Sequence, residues 1–388
     1  MIQIILLGFL LIRMAPAVNL YVASYAGKIT SLSLAQSRDG EYALSVISSL
    51  KSDTPQPSWL EKNGDLVFLV NENFAGPNGT VVPYKTSETG ILTPVQQPQI
   101  TPPGPVSIAV FNKGKALAIA HYGGSSVSTF EVSSDGTLSP LQVFSFKSPP
   151  GPNPQQDVSH PHQAILHPTG KFVVVPDLGS DLIRVFSIDE KSHLTEQKSF
   201  SVPAGSGPRH GAFVQVGEST SQKTYFYLIS ELANTVSSFS VSSTEDSLDF
   251  TPVSSNDVLD QAPPKGLASA ELVISSDKKF VYTSARNAPL LSLPDPSGST
   301  KEQIPSDTLQ AWKIDSSSGA LSFQQLAPAG GRTPRNFSLN KNGTLVAVAL
   351  QGDQRIAIFE RSIDSGKFGR LLASMAVEGE LTSVIWDE

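Results

Sequence analysis

The stretch that decides the fold is His160-Pro161-His162-Gln163, then Ala164-Ile165-Leu166, Pro168-Thr169-Gly170-Lys171, Phe172 to Val175, and Pro176-Asp177-Leu178-Gly179. It reads as a Pro-led polar opening, a short apolar run, a Gly turn, a second apolar run and a polar tip. Two apolar runs of strand length around a Gly-containing turn predict a β-hairpin. The phrase returns about every 50 residues, and several short strands per fixed period is the pattern of a propeller or a similar array. Its other copies open at Ser58-Trp59, Val106-Ser107, Arg209-His210, Ala270-Glu271 and Arg335-Asn336.

Working outward gives seven units. The first begins with the alternating Asn19 to Tyr25, and the next five open at Ser58, Val106, His162, Arg209 and Ala268. The last opens at Arg335, and a long polar insertion near Pro289 to Pro305 interrupts the sixth. The first unit lacks the strand that the others carry ahead of their Gly turn. Leu381-Thr382-Ser383-Val384-Ile385-Trp386 is a spare strand with the right pattern. Joining both ends in one unit closes the ring and removes a free sheet edge. The expectation is an all-β, seven-bladed β-propeller over residues 18–388, closed by the N- and C-terminal strands. Asp135-Gly136, Ser318-Gly319 and Ser365-Gly366 mark hairpin turns within units.

Composition agrees and removes several functions. Of the 388 residues 39% are hydrophobic, enough for a large core, and 29 Gly with 29 Pro suit a loop-rich β protein. A net charge of −7 gives no basic footprint for nucleic acid. With no Cys there are no disulfides, thiolate nucleophiles or zinc–thiolate sites. Residues 1–17 stand apart: Ile2 to Ile12 is apolar and Ala15-Pro16-Ala17 resembles a signal-peptidase site. That run is too short for a comfortable membrane span. It predicts a secreted or secretory-pathway protein, with an N-terminal extension on a cytoplasmic protein as the alternative. Sequons at Asn78, Asn336 and Asn342 are compatible with secretion.

In such a repeat the starts of inner strands and the ends of second strands share one rim of the central channel. Those positions collect Asn71 and Glu72, His121 with Tyr122, His162 and Asp177, Arg209 and Glu231, Arg286, and Arg335 with Asn336. Three arginines, two histidines and acids from separate units converge there.

At this point the sequence resembles a known family. His160-Pro161-His162, Pro176-Asp177-Leu178-Gly179, Gly205-Ser206-Gly207-Pro208-Arg209-His210, Ser284-Ala285-Arg286 and Thr333-Pro334-Arg335-Asn336 look like motifs of the seven-bladed propeller lactonases. That family includes propeller-type 6-phosphogluconolactonases and fungal carboxy-cis,cis-muconate cyclases. The resemblance to the cyclase branch implies an active site of His162, Arg209, Glu231 and Arg286, and the rim positions leave Arg335, His121, Asn71, Glu72 and Asp177 available to bind substrate. One departure is Ala120-His121-Tyr122-Gly123-Gly124, where the bacterial-type lactonases usually show Asn in place of the His.

The expected substrate is a small lactone or carboxylate, without metal or cofactor. Ring opening needs a base to activate water and a donor for the developing oxyanion. Glu231 or His162 suits the base. The carboxylate pKa is raised by burial or lowered by neighbouring Arg, and sequence leaves both open. Arg209 and Arg286 suit a bidentate grip on a carboxylate or phosphate. Run in reverse, the same groups would cyclise an unsaturated diacid, and a non-enzymatic binding propeller is the alternative from another class. The structural readings are equally concrete: Arg209 and Arg286 tie blades through ion pairs, Glu231 is their partner, and Asp177 caps the turn at Gly179.

Overall fold

The computed structural model describes residues 17–217, 222–296, 298 and 301–388. The apolar N-terminal segment therefore lies outside the described residues up to Pro16. Seven antiparallel sheets follow one another along the chain, each built from the inside outward. Blade 4, which carries the deciding stretch, runs Ile165–Leu166, Phe172–Asp177, Leu182–Ile188 and Leu194–Ser201. Blade 1 is the exception in connectivity. Its innermost strand is the C-terminal Leu381–Trp386, paired with Val18–Ser24 from the other end of the chain. The ring is closed in the way the spare strand predicts.

Middle strands have both faces covered by neighbouring blades, so they read as continuous apolar runs. Leu345–Leu350 is LVAVAL with every residue buried. Outer strands such as Leu138–Ser145 mix buried and exposed positions. The described residues form seven hydrophobic clusters, one between each pair of adjacent blades. Ile356 and Ile358 face blade 1, whereas Ala357 and Phe359 on the same strand face blade 6. The period of two thus divides each blade between two interfaces. Hairpin turns fall at the expected glycines: Gly136 has φ 88° and Gly366 φ 70°, a region open to Gly without strain.

The sixth-unit insertion is only partly described. It contains a two-stranded ribbon, Leu291–Pro294 with Gln303–Ser306, outside the blade sheets. Of the three sequons, Asn78 and Asn342 are exposed, but Asn336 is buried at 6% and unavailable for glycosylation. No helix among the described residues is long and apolar enough to cross a membrane.

Candidate active site

The inner strands share a local irregularity that positions the site. Register shifts by one residue between Pro57 and Trp59, Pro208 and His210, and Pro334 and Asn336. Equivalent shifts occur at Pro105–Ser107, Ser269–Leu272 and Leu381–Ser383. In blade 4 the bridge from Pro161 to Asp177 and the pairing of Ile165 with Val174 require the same extra residue. Each inner strand therefore opens with a β-bulge, which re-aims one side chain out of the regular alternation. Proline suits the residue before it, because an edge position there needs no ladder donor. This is the physical content of the Pro-led phrase.

The re-aimed residues and their neighbours meet. A narrow cavity on the propeller axis is lined from every blade, by Thr382, Ser58, Trp59, Val106, His162, Arg209, His210, Glu271, Arg335 and Asn336. His162 is buried, and its backbone N–H donates to Pro176 O at 2.9 Å. Its Nδ1 lies 3.2 Å from His210 Nε2, whose ring Nδ1 lies 2.7 Å from Glu271 Oε1. His162 Nε2 has no hydrogen-bond partner among the described residues and is not sealed from the cavity. Burial first, then the nearby Arg209, His210 and Arg335, hold His162 well below the usual histidine range. It is a neutral imidazole at pH near 7.

Glu231 follows the end of the second strand Lys223–Ser230. Its carboxylate is clamped between Arg209 Nε at 2.8 Å and Arg286 Nη2 at 3.0 Å. Burial would raise its pKa, but Arg286, Arg209 and Arg335 together outweigh that and keep it low. Glu72 shows the opposite balance: burial raises it in spite of Arg335 at 3.5 Å and the Tyr25 hydroxyl that donates to it. Two carboxylates at one rim are thus pushed apart, a pattern associated with divided acid and base roles.

The three arginines are not equivalent. Arg209 is 2% exposed; its Nη1 donates to Ala270 O at 2.6 Å. Its remaining charge faces Glu231, so it has little left for a ligand. Arg286 donates to the carbonyls of Ala268 and Ser269 as well as meeting Glu231. The Arg335 guanidinium makes no hydrogen bond to a described residue; Glu72 is its ion-pair partner, and it lies 5.4 Å from the Tyr25 ring centroid. It is the most available cation of the three.

Three of the expected substrate-binding residues are directed elsewhere. Asn71 is fully buried, accepting from Ser52 Oγ and donating to Thr80 Oγ1, each at 3.0 Å. His121 is fully buried with Nε2 on Ser128 Oγ at 2.8 Å. Asp177 accepts from the backbone N–H groups of His160 and Ser180 and from Arg184 Nε, which fixes the turn at Gly179. A Cβ at Gly179 would sit 1.8 Å from Val158 O, so that turn needs glycine. The common feature is that these side chains, at the ends of second strands, are engaged by neighbouring strands and turns and do not line the axial cavity.

Conversely, Trp59, His210 and Glu271 line the cavity without having been singled out as site residues, and Asn336, collected at the rim with Arg335, lines it too. Each is at or one place beyond the bulge, so reading one residue further into each copy of the phrase would have found them. Tyr122 stacks on His160 at 4.0 Å between centroids and meets His162 edge-on at 5.7 Å. Among the described residues no three His, Asp or Glu are grouped to hold a metal.

The family described as "Lactonase, 7-bladed beta-propeller" matches residues 19–386. The chain belongs to that family. Among its relatives, a protein of Arthroderma benhamiae named a probable 6-phosphogluconolactonase is 28% identical over 89% of this chain and 83% of its own length. A 6-phosphogluconolactonase of Formosa agariphila is 29% identical over 82% of this chain and 85% of its own. The solved structure of the periplasmic gluconolactonase of Pseudomonas aeruginosa superposes with a TM-score of 0.76 at 24% identity, covering 96% of this lactonase-family chain and 99% of the other. That last likeness speaks for the shared fold.

Proposed function

We propose that this family member hydrolyses the lactone of a sugar acid carrying an anionic group, of the 6-phosphogluconolactone type, at the mouth of the axial cavity. The observation that carries the reading is an unprotonated imidazole, His162, with its Nε2 open to a cavity that also holds guanidinium groups. Lactonases as relatives supply the reaction class.

In this reading His162 Nε2 takes a proton from water as the water oxygen attacks the lactone carbonyl carbon. The carbonyl oxygen gains negative charge, and Arg335 or Arg286 stabilises it from a water-poor site where such charges interact strongly. Collapse breaks the ring C–O bond, and the imidazolium returns its proton to the leaving oxygen. One water is consumed, and a hydroxy acid is released. Glu231 is too acidic in its clamp to serve well as a base; its role is to hold Arg286 and Arg209. Arg335 receives the substrate's remote anionic group when Arg286 faces the oxyanion.

The test is turnover of gluconolactones with and without a 6-phosphate, beside a carboxymuconate, under excess chelator. Ring opening by the wild type, reduced by about 100-fold or more in His162→Ala, supports the proposal. Formation of a new lactone from the muconate with no ring opening would replace hydrolysis by cyclisation. An unchanged rate in His162→Ala would remove His162 as the base.

A further inference from the structure

A continuous chain of hydrogen bonds crosses five consecutive blades behind His162. Val384 N–H of blade 1 donates to Asn336 Oδ1 of blade 7 at 2.9 Å. Asn336 Nδ2 donates to Glu271 Oε2 of blade 6 at 2.6 Å. Glu271 Oε1 accepts from Leu272 N–H at 3.0 Å and meets His210 Nδ1 of blade 5 at 2.7 Å. His210 Nε2 meets His162 Nδ1 of blade 4 at 3.2 Å. Apart from backbone groups, all these members are 6% exposed or less.

The direction of every proton in this chain follows from its ends. Val384 has only an N–H to offer, so Asn336 must present its oxygen there and its amide N–H₂ to Glu271. Glu271 then receives two donors besides His210, which favours the carboxylate. A carboxylate only accepts, so His210 carries its proton on Nδ1. Arg209 Nη1 lies 3.3 and 3.2 Å from the two ring nitrogens of His210. Since Glu271 and His162 occupy the in-plane positions of those nitrogens, the guanidinium is over the ring face. A cation there, in a buried site, opposes a second proton on His210. Its Nε2 is therefore a lone pair, and the His162 Nδ1 facing it carries the hydrogen. His162 Nε2 is left bare, pointing at the cavity.

We propose that Glu271 and His210 are positioning residues that fix His162 in the Nδ1–H tautomer, with Nε2 as the accepting nitrogen. The inference deepens the lactonase reading, because it explains why that particular nitrogen is the base, and to that extent rests on it. A histidine left to choose its tautomer presents the wrong nitrogen part of the time and the wrong ring orientation more often.

The experiment is ¹⁵N imidazole NMR of the full protein labelled at histidine, with His162 and His210 assigned by substitution among the six histidines. The expected wild-type result is Nδ1–H with unprotonated Nε2 for both. Glu271→Leu should lose that pattern at His162, because it removes the acceptor that holds the proton on His210 Nδ1. Its kcat should fall by roughly 100-fold with KM within about twofold, and Glu271→Asp should recover part of the loss. His210→Phe, apolar and without ring nitrogens, gives the same comparison if Glu271→Leu folds poorly. Nε2–H on wild-type His162, or Glu271→Leu with unchanged tautomer and kcat, would overturn the inference. Should the wild type open no lactone, the functional reading fails on its own, and the wild-type spectrum still decides the tautomer.

Discussion

Replacing His121 with Asn should make the protein markedly less sensitive to acid. His121 is fully buried, and burial pushes its pKa from 6.5 down to about 3, against a smaller opposing contribution from the Pro102 carbonyl. The folded-state value is depressed, so the stabilisation is complete above the unfolded pKa of 6.5 and is lost as pH falls toward about 3. At pH 5 the unfolded chain binds a proton there and the folded chain does not. The linkage integral gives about 2 kcal/mol, against about 0.2 kcal/mol at pH 7. The wild type should thus lose about 2 kcal/mol more between pH 7 and 5 than His121→Asn does. Urea denaturation of both proteins at both pH values reads this as a double difference. Other buried histidines contribute equally to each protein and cancel. The absolute effect of the substitution at pH 7 does not enter. Equal pH dependence of the two proteins, within about 0.5 kcal/mol, would refute the argument that His121 is a neutral, structurally buried imidazole.

Three further outcomes follow from the site and the ring closure. Arg335→Ala should raise KM about tenfold or more for a phosphorylated lactone with a smaller effect on kcat, and Arg335→Lys should recover only part, since an ammonium lacks the planar fork; steady-state kinetics on the phosphorylated and plain lactones decides it. Glu231→Gln should reduce kcat by about 10- to 100-fold and lower stability by about 1–3 kcal/mol, because two guanidinium groups lose their shared anion while solvent at the partly open carboxylate limits the penalty; kinetics beside urea titration separates the two effects. Leu381→Ala, at a fully buried position in the closing strand, should destabilise the protein by about 2–5 kcal/mol, measured by the urea midpoint, with KM near wild type in the folded fraction.

The ring was legible in the sequence because its determinants are periodic. Apolar runs, Gly turns and the unmatched Leu381–Trp386 strand each leave a pattern that counting detects. The site was legible only in part. His162, Arg209, Arg286, Glu231, Arg335 and Glu72 do gather at one rim. Asn71, His121 and Asp177 were drawn in because they end second strands. Strand position alone does not state which face a side chain takes, and a one-residue change of register reverses it. His210 and Glu271 were passed over for the complementary reason. Their role comes from contacts across blades, between residues 48 and 61 positions apart, and no local pattern encodes that pairing.

The bulges reconcile two demands that otherwise conflict. A closed propeller is stable because each blade packs its alternating faces against both neighbours, which leaves no regular position for a side chain on the axis. One extra residue at the start of an inner strand breaks the alternation once, at the rim, and leaves the remaining register intact. Six blades show that shift directly in their pairing, and blade 4 requires it between Pro161 and Ile165. What stands at or beside the bulge then varies freely: Thr382, Ser58 and Val106 on one side of the cavity, His162, Arg209, Glu271 and Arg335 on the other. Among these cavity-lining residues, small or apolar ones from blades 1 to 3 oppose ionisable ones from blades 4 to 7, while Glu72 of blade 2 is taken up at the rim by Arg335. A substrate with one anionic, hydrogen-bonding edge and one less polar edge matches that division, whereas a uniformly charged ligand would leave the first three blades without complement. The identity of the residue at seven equivalent bulges, more than the scaffold, is therefore where substrate preference in this chain should be sought.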